Sequence, residues 1–141
     1  MVYFTADMHL GHRGIITMQD RPFSDVDEMN KALIRNYNAV VNRNDTVYIL
    51  GDICHHMEVN AVNEIISKLN GKKYLIAGNH DKKYDPALFV EVRDFMTVSL
   101  NGEYFALMHY PTVVRLCAFR ADKALCVLSR SGSVPEVYFD N

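Results

Sequence analysis

Four short apolar runs punctuate this chain, and each stops on residues that hold metal ions or move protons. Residues 2–6 lead into Asp7-Met8-His9, residues 46–50 into Gly51-Asp52, residues 73–77 into Gly78-Asn79-His80-Asp81, and residues 104–108 into His109-Tyr110-Pro111. Short continuous apolar runs suit strands buried on both faces. In open α/β sheets, ligands bind beyond the carboxyl ends of the strands. If the first three strands run parallel, their ends converge on one edge. The fourth would meet them from an adjoining sheet.

Helical patterns separate these runs. Val26, Met29, Leu33, Tyr37 and Val40 recur at helical spacing, with Ser24 as the expected cap and Asp27 three residues on. Val59, Val62, Ile65, Ile66 and Leu69 form a second stripe, which Asn70-Gly71 would end. Asn101-Gly102 is a hairpin signal before the fourth run. Further on, Ala124–Leu128 reads as a strand and residues 129–134 as a turn. Strands alternating with helices predict an α/β fold with crossovers. The 141 residues suit a single domain, with residues 112–141 atypical in pattern.

Carboxylate, imidazole and amide oxygen together suit borderline divalent cations such as Mn, Fe or Zn. Two such ions need a bridging ligand, and Asp52, alone after the second strand, is the natural bridge. Asp7 and His9 are two apart, so on a strand they would face opposite ways, whereas a turn lets them converge. Taken singly, each motif has an ordinary reading. Gly-Asp after a strand is a common turn, Asn79-His80-Asp81 suits Asx-turn chemistry, and His109 suits a satisfied strand-end histidine. Four strand ends with complementary ligand types in one short chain are a much narrower coincidence.

The set of DMH at 7–9, GD at 51–52, GNHD at 78–81 and HYP at 109–111 resembles the calcineurin-like metallophosphoesterases. More narrowly, FTADMHLGHRGI, RPFSDVDEMN, DTVYILGDI and LNGKKYLIAGNHD look like a small single-domain bacterial or phage-type group; the resemblance covers roughly residues 2–111. It implies a sandwich of two packed mixed β-sheets flanked by helices, and hydrolysis of a phosphomonoester or phosphodiester by water activated on two divalent metal ions. Asp7 and His9 would hold the first ion, Asp52 would bridge, and Asn79 and His109 would hold the second. His80 would stand at the leaving oxygen, with Asp81 orienting it. His12 and Arg13 would lie at the mouth of the site, where Arg13 suits a substrate phosphate as a planar fork.

The family's closing GHxH motif is missing, since no histidine follows His109. The matching stretch, residues 127–134, offers serines and Gly132 in its place, with Glu136 just beyond. Each ion would then lack one protein ligand. A local frameshift over residues 113–134, divergence, and loss of catalysis all fit that pattern. His55 and His56, in the loop after the second strand, are candidate replacement imidazoles, against the plainer reading of exposed loop histidines. Lys72, Lys73, Lys82 and Lys83 flank the GNHD segment, where ordinary surface charge is the plain reading. A non-catalytic metal- or protein-binding scaffold that keeps the fold is the alternative function.

Charge and cysteine use narrow the partners. With 15 basic and 17 acidic residues there is no strong field toward nucleic acid or membrane, and no basic stripe with aromatics. A small phosphorylated substrate or nucleotide is the expected partner. No apolar run approaches the ~20 residues of a membrane span, and the start lacks a signal-peptide pattern. Cys54, Cys117 and Cys126 form no disulfide or metal pattern, which suits a reducing, cytoplasmic setting.

Overall fold

Three parallel crossovers build the sheet from which the motif-bearing loops emerge. The computed structural model describes residues 1–110, together with the backbone of residues 124–128 and 138–139. The turn expected at 129–134, the GHxH-like stretch beyond Leu128 and Glu136 lie outside the described residues. In chain order come β1 (Val2–Thr5), α1 (Arg13–Met18), α2 (Val26–Val40), β2 (Thr46–Ile49), α3 (Val59–Lys68) and β3 (Lys72–Ile76). A single 3-10 turn (Pro86–Leu88) leads to β4 (Glu91–Arg93), β5 (Phe95–Leu100), β6 (Glu103–Met108), β7 (Ala124–Leu128) and β8 (Tyr138–Phe139). No described helix is long and apolar enough to cross a membrane.

One sheet has the order β4-β3-β2-β1-β8, and the other β5-β6-β7. In the first, β1, β2, β3 and β4 pair in parallel and β8 runs antiparallel to β1. Thr5 pairs with Ile49, and Ile49 with Leu75, so three strands end almost level. Their following loops therefore leave from one edge, as the sequence predicts. In the second sheet, β5 and β6 form an antiparallel hairpin, and β7 joins β6 in parallel. Asn101 (φ 52°) and Gly102 (φ 82°) make its two-residue turn, both in the left-handed region that such hairpins demand.

Strand alternation divides the core in two. Tyr3, Val47, Ile49 and Leu75 face the helices, where Val62 and Ile66 of α3 are buried against them. Phe4, Leu50 and Ile76 face the second sheet and meet Leu107, Met96 and Phe105. An aromatic row stiffens that layer, with Phe4 stacked on Tyr48 at 5.4 Å and tilted against Phe105 at 6.0 Å. The result is a two-sheet sandwich with helices on the outer face of the parallel sheet.

The cap of α2 differs by one residue from expectation. Asp25 is the N-cap, and its carboxylate accepts from the Glu28 backbone N–H at 2.8 Å. Glu28 reaches back to the N–H and hydroxyl of Ser24. The cap is therefore Asp25, with Glu28 closing back on the preceding Ser24 rather than on the cap residue, and both carboxyl groups lie by the positive end of the helix dipole.

Candidate metal centre

β1 and β2 stay tied together after they leave the sheet. The N–H of Asp7 donates to Gly51 O (3.1 Å), that of His9 to Asp52 O (2.9 Å) and that of Leu10 to Ile53 O (2.8 Å). Asp7 (φ 52°), His9 (φ 51°) and Asp52 (φ 54°) all adopt the left-handed conformation, which non-glycine residues rarely do. Left-handed residues on either side of Met8 re-aim the chain, so side chains two apart come to one place. Such strain costs of order 1–3 kcal/mol per residue and persists only where surrounding contacts over-determine it.

Arg21 supplies part of that constraint. It is buried, and its guanidinium donates to Met8 O at 2.9 Å and Asp7 O at 3.1 Å. Asn30 Oδ1 takes the Gly11 N–H at 2.9 Å. Both residues lie in the RPFSDVDEMN segment that carries the resemblance, but no role follows from the sequence, because an arginine before proline and an asparagine inside a helix resemble surface residues. Gly51 and Gly78 are also required. A Cβ on Gly51 (φ +83°) would lie 2.5 Å from His109 Nδ1, and one on Gly78 would overlap Asp52 Oδ1.

Asp52 stands at the centre. Its Oδ2 lies 3.8 Å from His9 Nε2, 3.6 Å from His109 Nε2 and 3.9 Å from His80 Nε2. His9 Nε2 is also 3.8 Å from Asp7 Oδ1. On the other side, His109 Nε2 is 3.2 Å from Asn79 Oδ1. The ligand atoms of Asp7, His9 and Asp52, all three buried, lie within 4.8 Å of one another.

These residues fit a cation. Separations of 3.6–3.9 Å are too long for hydrogen bonds. They lie near the separation, about 3–3.4 Å, of two ligands each about 2.1 Å from one ion. His109 Nδ1 lies 2.8 Å from Leu50 O and can only donate to it, which leaves the Nε2 lone pair facing Asp52 and Asn79. Burial pushes the His9 imidazole down to about 4, so it too offers a lone pair at neutral pH. Two buried carboxylates beside buried imidazoles are a donor set suited to a cation.

The His9 shift has a sign that can be checked. Its folded pKa, about 4, lies below the ordinary 6.5. The unfolded chain thus takes up a proton between those values that the folded chain refuses. The metal-free protein will lose stability as pH falls from 6.5 toward 4, by about 3 kcal/mol from this residue. Urea unfolding of chelator-treated protein at pH 7 and about pH 5 checks it. A His9→Gln variant with the same pH dependence as the parent would count against the assignment.

The remaining predicted residues take different places around this centre. His80, 31% exposed, caps the site, and its backbone N–H donates to Asp52 Oδ1 at 3.1 Å. Asp81 takes a different part from the one expected. Its carboxylate accepts three backbone N–H groups, from Asp52 (2.7 Å), Gly78 (2.9 Å) and Ile53 (3.0 Å). Burial pushes this carboxyl up, and those three bonds pull against it. It clamps the loops after β2 and β3 rather than the His80 ring.

His12 lies beside His9, with ring centroids 5.6 Å apart, whereas Arg13 is exposed at the start of α1. His55 stacks on His12 at 3.7 Å and approaches His80 at 4.3 Å, so it is not a stray loop residue. His56 touches His55 edge-on at 4.1 Å but faces outward. Lys72 and Lys73 begin β3, at the far end of the strand from the site, and Lys73 Nζ donates to Leu69 O. All six histidines of the chain thus gather at this edge.

Comparison with known proteins points the same way. The family model for calcineurin-like phosphoesterases matches residues 1–126. An uncharacterized protein of Methanocaldococcus jannaschii is 42% identical over 111 residues, covering 78% of this chain and 58% of that protein. The gene 66 protein of mycobacteriophage D29 is 33% identical over 132 residues, covering 79% of this chain and 64% of that protein. The crystal structure of a protein of unknown function from Aquifex aeolicus superposes with a TM-score of 0.64 at 32% identity, covering 79% of this chain and 61% of the other. This chain spans less than two thirds of the length of each of these relatives.

Proposed function

From the premise that the chain belongs to the calcineurin-like phosphoesterase family, we propose that it hydrolyses a phosphomonoester or phosphodiester at two divalent cations. The observation that carries this reading is the convergence of Asp7, His9, Asp52, Asn79 and His109 on one sheet edge around the Asp52 carboxylate. Asp7 and His9 would hold one ion and Asn79 and His109 the other, with Asp52 shared. The ions, Mn, Fe or Zn, would lower the pKa of water and neutralise charge on the phosphoryl oxygens.

The chain's own groups do the rest. Arg21 holds the left-handed Asp7–His9 turn in shape. The His109 Nδ1 bond to Leu50 O fixes the ring so that Nε2 points inward. His80, at the half-exposed mouth, suits the leaving oxygen, which takes a proton as its bond to phosphorus breaks and water's oxygen takes its place. A small phosphorylated molecule of nucleotide size, met in the cytoplasm, is the substrate we infer. The second reading is a non-catalytic metal- or protein-binding scaffold that keeps the fold without turnover.

Hydrolysis of p-nitrophenyl phosphate and bis(p-nitrophenyl) phosphate by the Mn-loaded protein separates the two. The enzyme reading expects turnover of one ester, and a fall of about 10²–10⁴-fold in His80→Ala with Mn binding retained. Two bound Mn ions with no turnover of either ester would establish the scaffold instead.

A further inference from the structure

The His80 ring needs a support that Asp81 does not give. A histidine ring turns in a broad, roughly two-fold well about its last side-chain bond, so a hydrogen bond or packing must orient it. Both Asp81 oxygens are taken by the backbone N–H groups of Asp52, Ile53 and Gly78. His80 Nε2 stands 3.9 Å from Asp52 Oδ2, too far for a hydrogen bond. Among the described residues only the backbone of His80 is hydrogen-bonded, its N–H to Asp52 Oδ1 and its carbonyl to the Lys82 N–H. Packing must therefore orient the ring. The nearest ring is that of His55, edge-on at 4.3 Å and 66°, against 5.7 Å for His9. Edge-on contact is a favoured geometry between aromatic rings.

His55 is itself held in place. Its backbone N–H donates to Leu10 O at 2.9 Å, next to the Leu10–Cys54 bridge that prolongs the pairing of β1 with β2. Its ring stacks on His12 at 3.7 Å and 21°. His12 hangs on the first loop, its N–H donating to His9 O at 3.0 Å. Gly11 permits this close approach of two loops, since its φ is +82° and a Cβ there would lie 3.3 Å from His55 O. The imidazoles that reach Asp52 Oδ2, at 3.6–3.9 Å, are those of His9, His80 and His109. Among the described residues the His55 ring meets other rings and not that carboxylate.

Resting on the phosphoesterase reading, we propose that His55 is the positioning residue of His80: its ring, backed by His12, holds the His80 imidazole toward Asp52 and the leaving oxygen. That role needs a flat ring. A replacement metal ligand would need a nitrogen lone pair instead, and the two demands can be separated by substitution.

His55→Phe keeps a ring without a nitrogen, and His55→Gln keeps a polar side chain without a ring. In the Mn-loaded protein, kcat should fall about tenfold to a hundredfold in His55→Ala and His55→Gln at little-changed KM, and His55→Phe should stay within about threefold of the parent. The loss should be larger for a phenyl ester than for its p-nitrophenyl counterpart, because the poorer leaving group leans more on His80. Mn stoichiometry should be the same in all three. The Zn-loaded protein gives a readout without turnover: the His80 Cε1–H proton resonance, identified by its loss in His80→Ala, should be displaced by the neighbouring ring. It should move back toward the free-histidine position in His55→Ala and His55→Gln, and stay displaced in His55→Phe. Unchanged turnover in His55→Ala, recovery by glutamine but not phenylalanine, or an undisplaced His80 resonance overturns the proposal. A displaced resonance that follows the ring, in a parent that turns over no ester, overturns the phosphoesterase reading and upholds His55 as the support of His80.

Discussion

If the chain hydrolyses phosphate esters as proposed, an Asp52→Asn variant will lose that turnover by more than about a hundredfold, because even outer partners of metal ligands cost 10–100-fold when removed. Asp52 Oδ1 accepts the His80 N–H, and Oδ2 faces His9, His80 and His109. An asparagine has one acceptor oxygen. If that oxygen keeps the His80 bond, an NH2 group faces the cations and repels them. If it turns inward, the GNHD loop loses its anchor. Either way the shared negative charge is gone, and Mn stoichiometry should drop from two to one or fewer. The metal-free variant should be more stable than the parent. Burial is the main cause that raises the Asp81 carboxyl, with a smaller part from the Asp52 charge that asparagine removes, and asparagine tolerates the left-handed backbone at position 52. Lost function with gained stability is the usual trade at such sites. Retention of two tightly bound Mn ions would sink the bridging role.

The largest effect on stability is expected at Asp81. Alanine there removes the acceptor for three backbone N–H groups, those of Asp52, Ile53 and Gly78. A buried donor left without a partner costs about 1–3 kcal/mol, so the three together cost about 3–9 kcal/mol. That rivals the whole stability of many domains, about 5–15 kcal/mol. Asp81→Ala should be mostly unfolded or strongly destabilised in urea, and Asp81→Asn, with one acceptor oxygen left, should fall between. A loss under about 1 kcal/mol, with the effect confined to the pH profile of turnover, would instead favour the His80-orienting role that the family resemblance implies.

The architecture was largely legible before any coordinates. Short continuous apolar runs marked β1, β2, β3 and β6, and the 3.6-residue stripes marked α2 and α3. Asn101-Gly102 marked its hairpin, and residues 124–128 form the expected strand. The cap of α2 was misplaced by one residue because Ser24 and Asp25 are both good acceptors, and only the position of Glu28 chose between them. Motif chemistry also named the residues that gather at the sheet edge. It missed Arg21 and Asn30, and it paired Asp81 with its neighbour His80.

What the sequence alone determined is therefore what nearest neighbours encode: strand and helix periodicity, turn residues, and ligand types at strand ends. What the tertiary structure decided is which atoms meet. Asp81 finds its partners 28 and 29 residues away, His109 finds Leu50 at a separation of 59, and His55 finds His12 across two loops. Those pairings depend on parallel crossovers that bring strand ends level, and on left-handed turns at Asp7, His9 and Asp52 that re-aim side chains afterward. No local pattern carries that information, because the strain of those turns is borne by residues far along the chain.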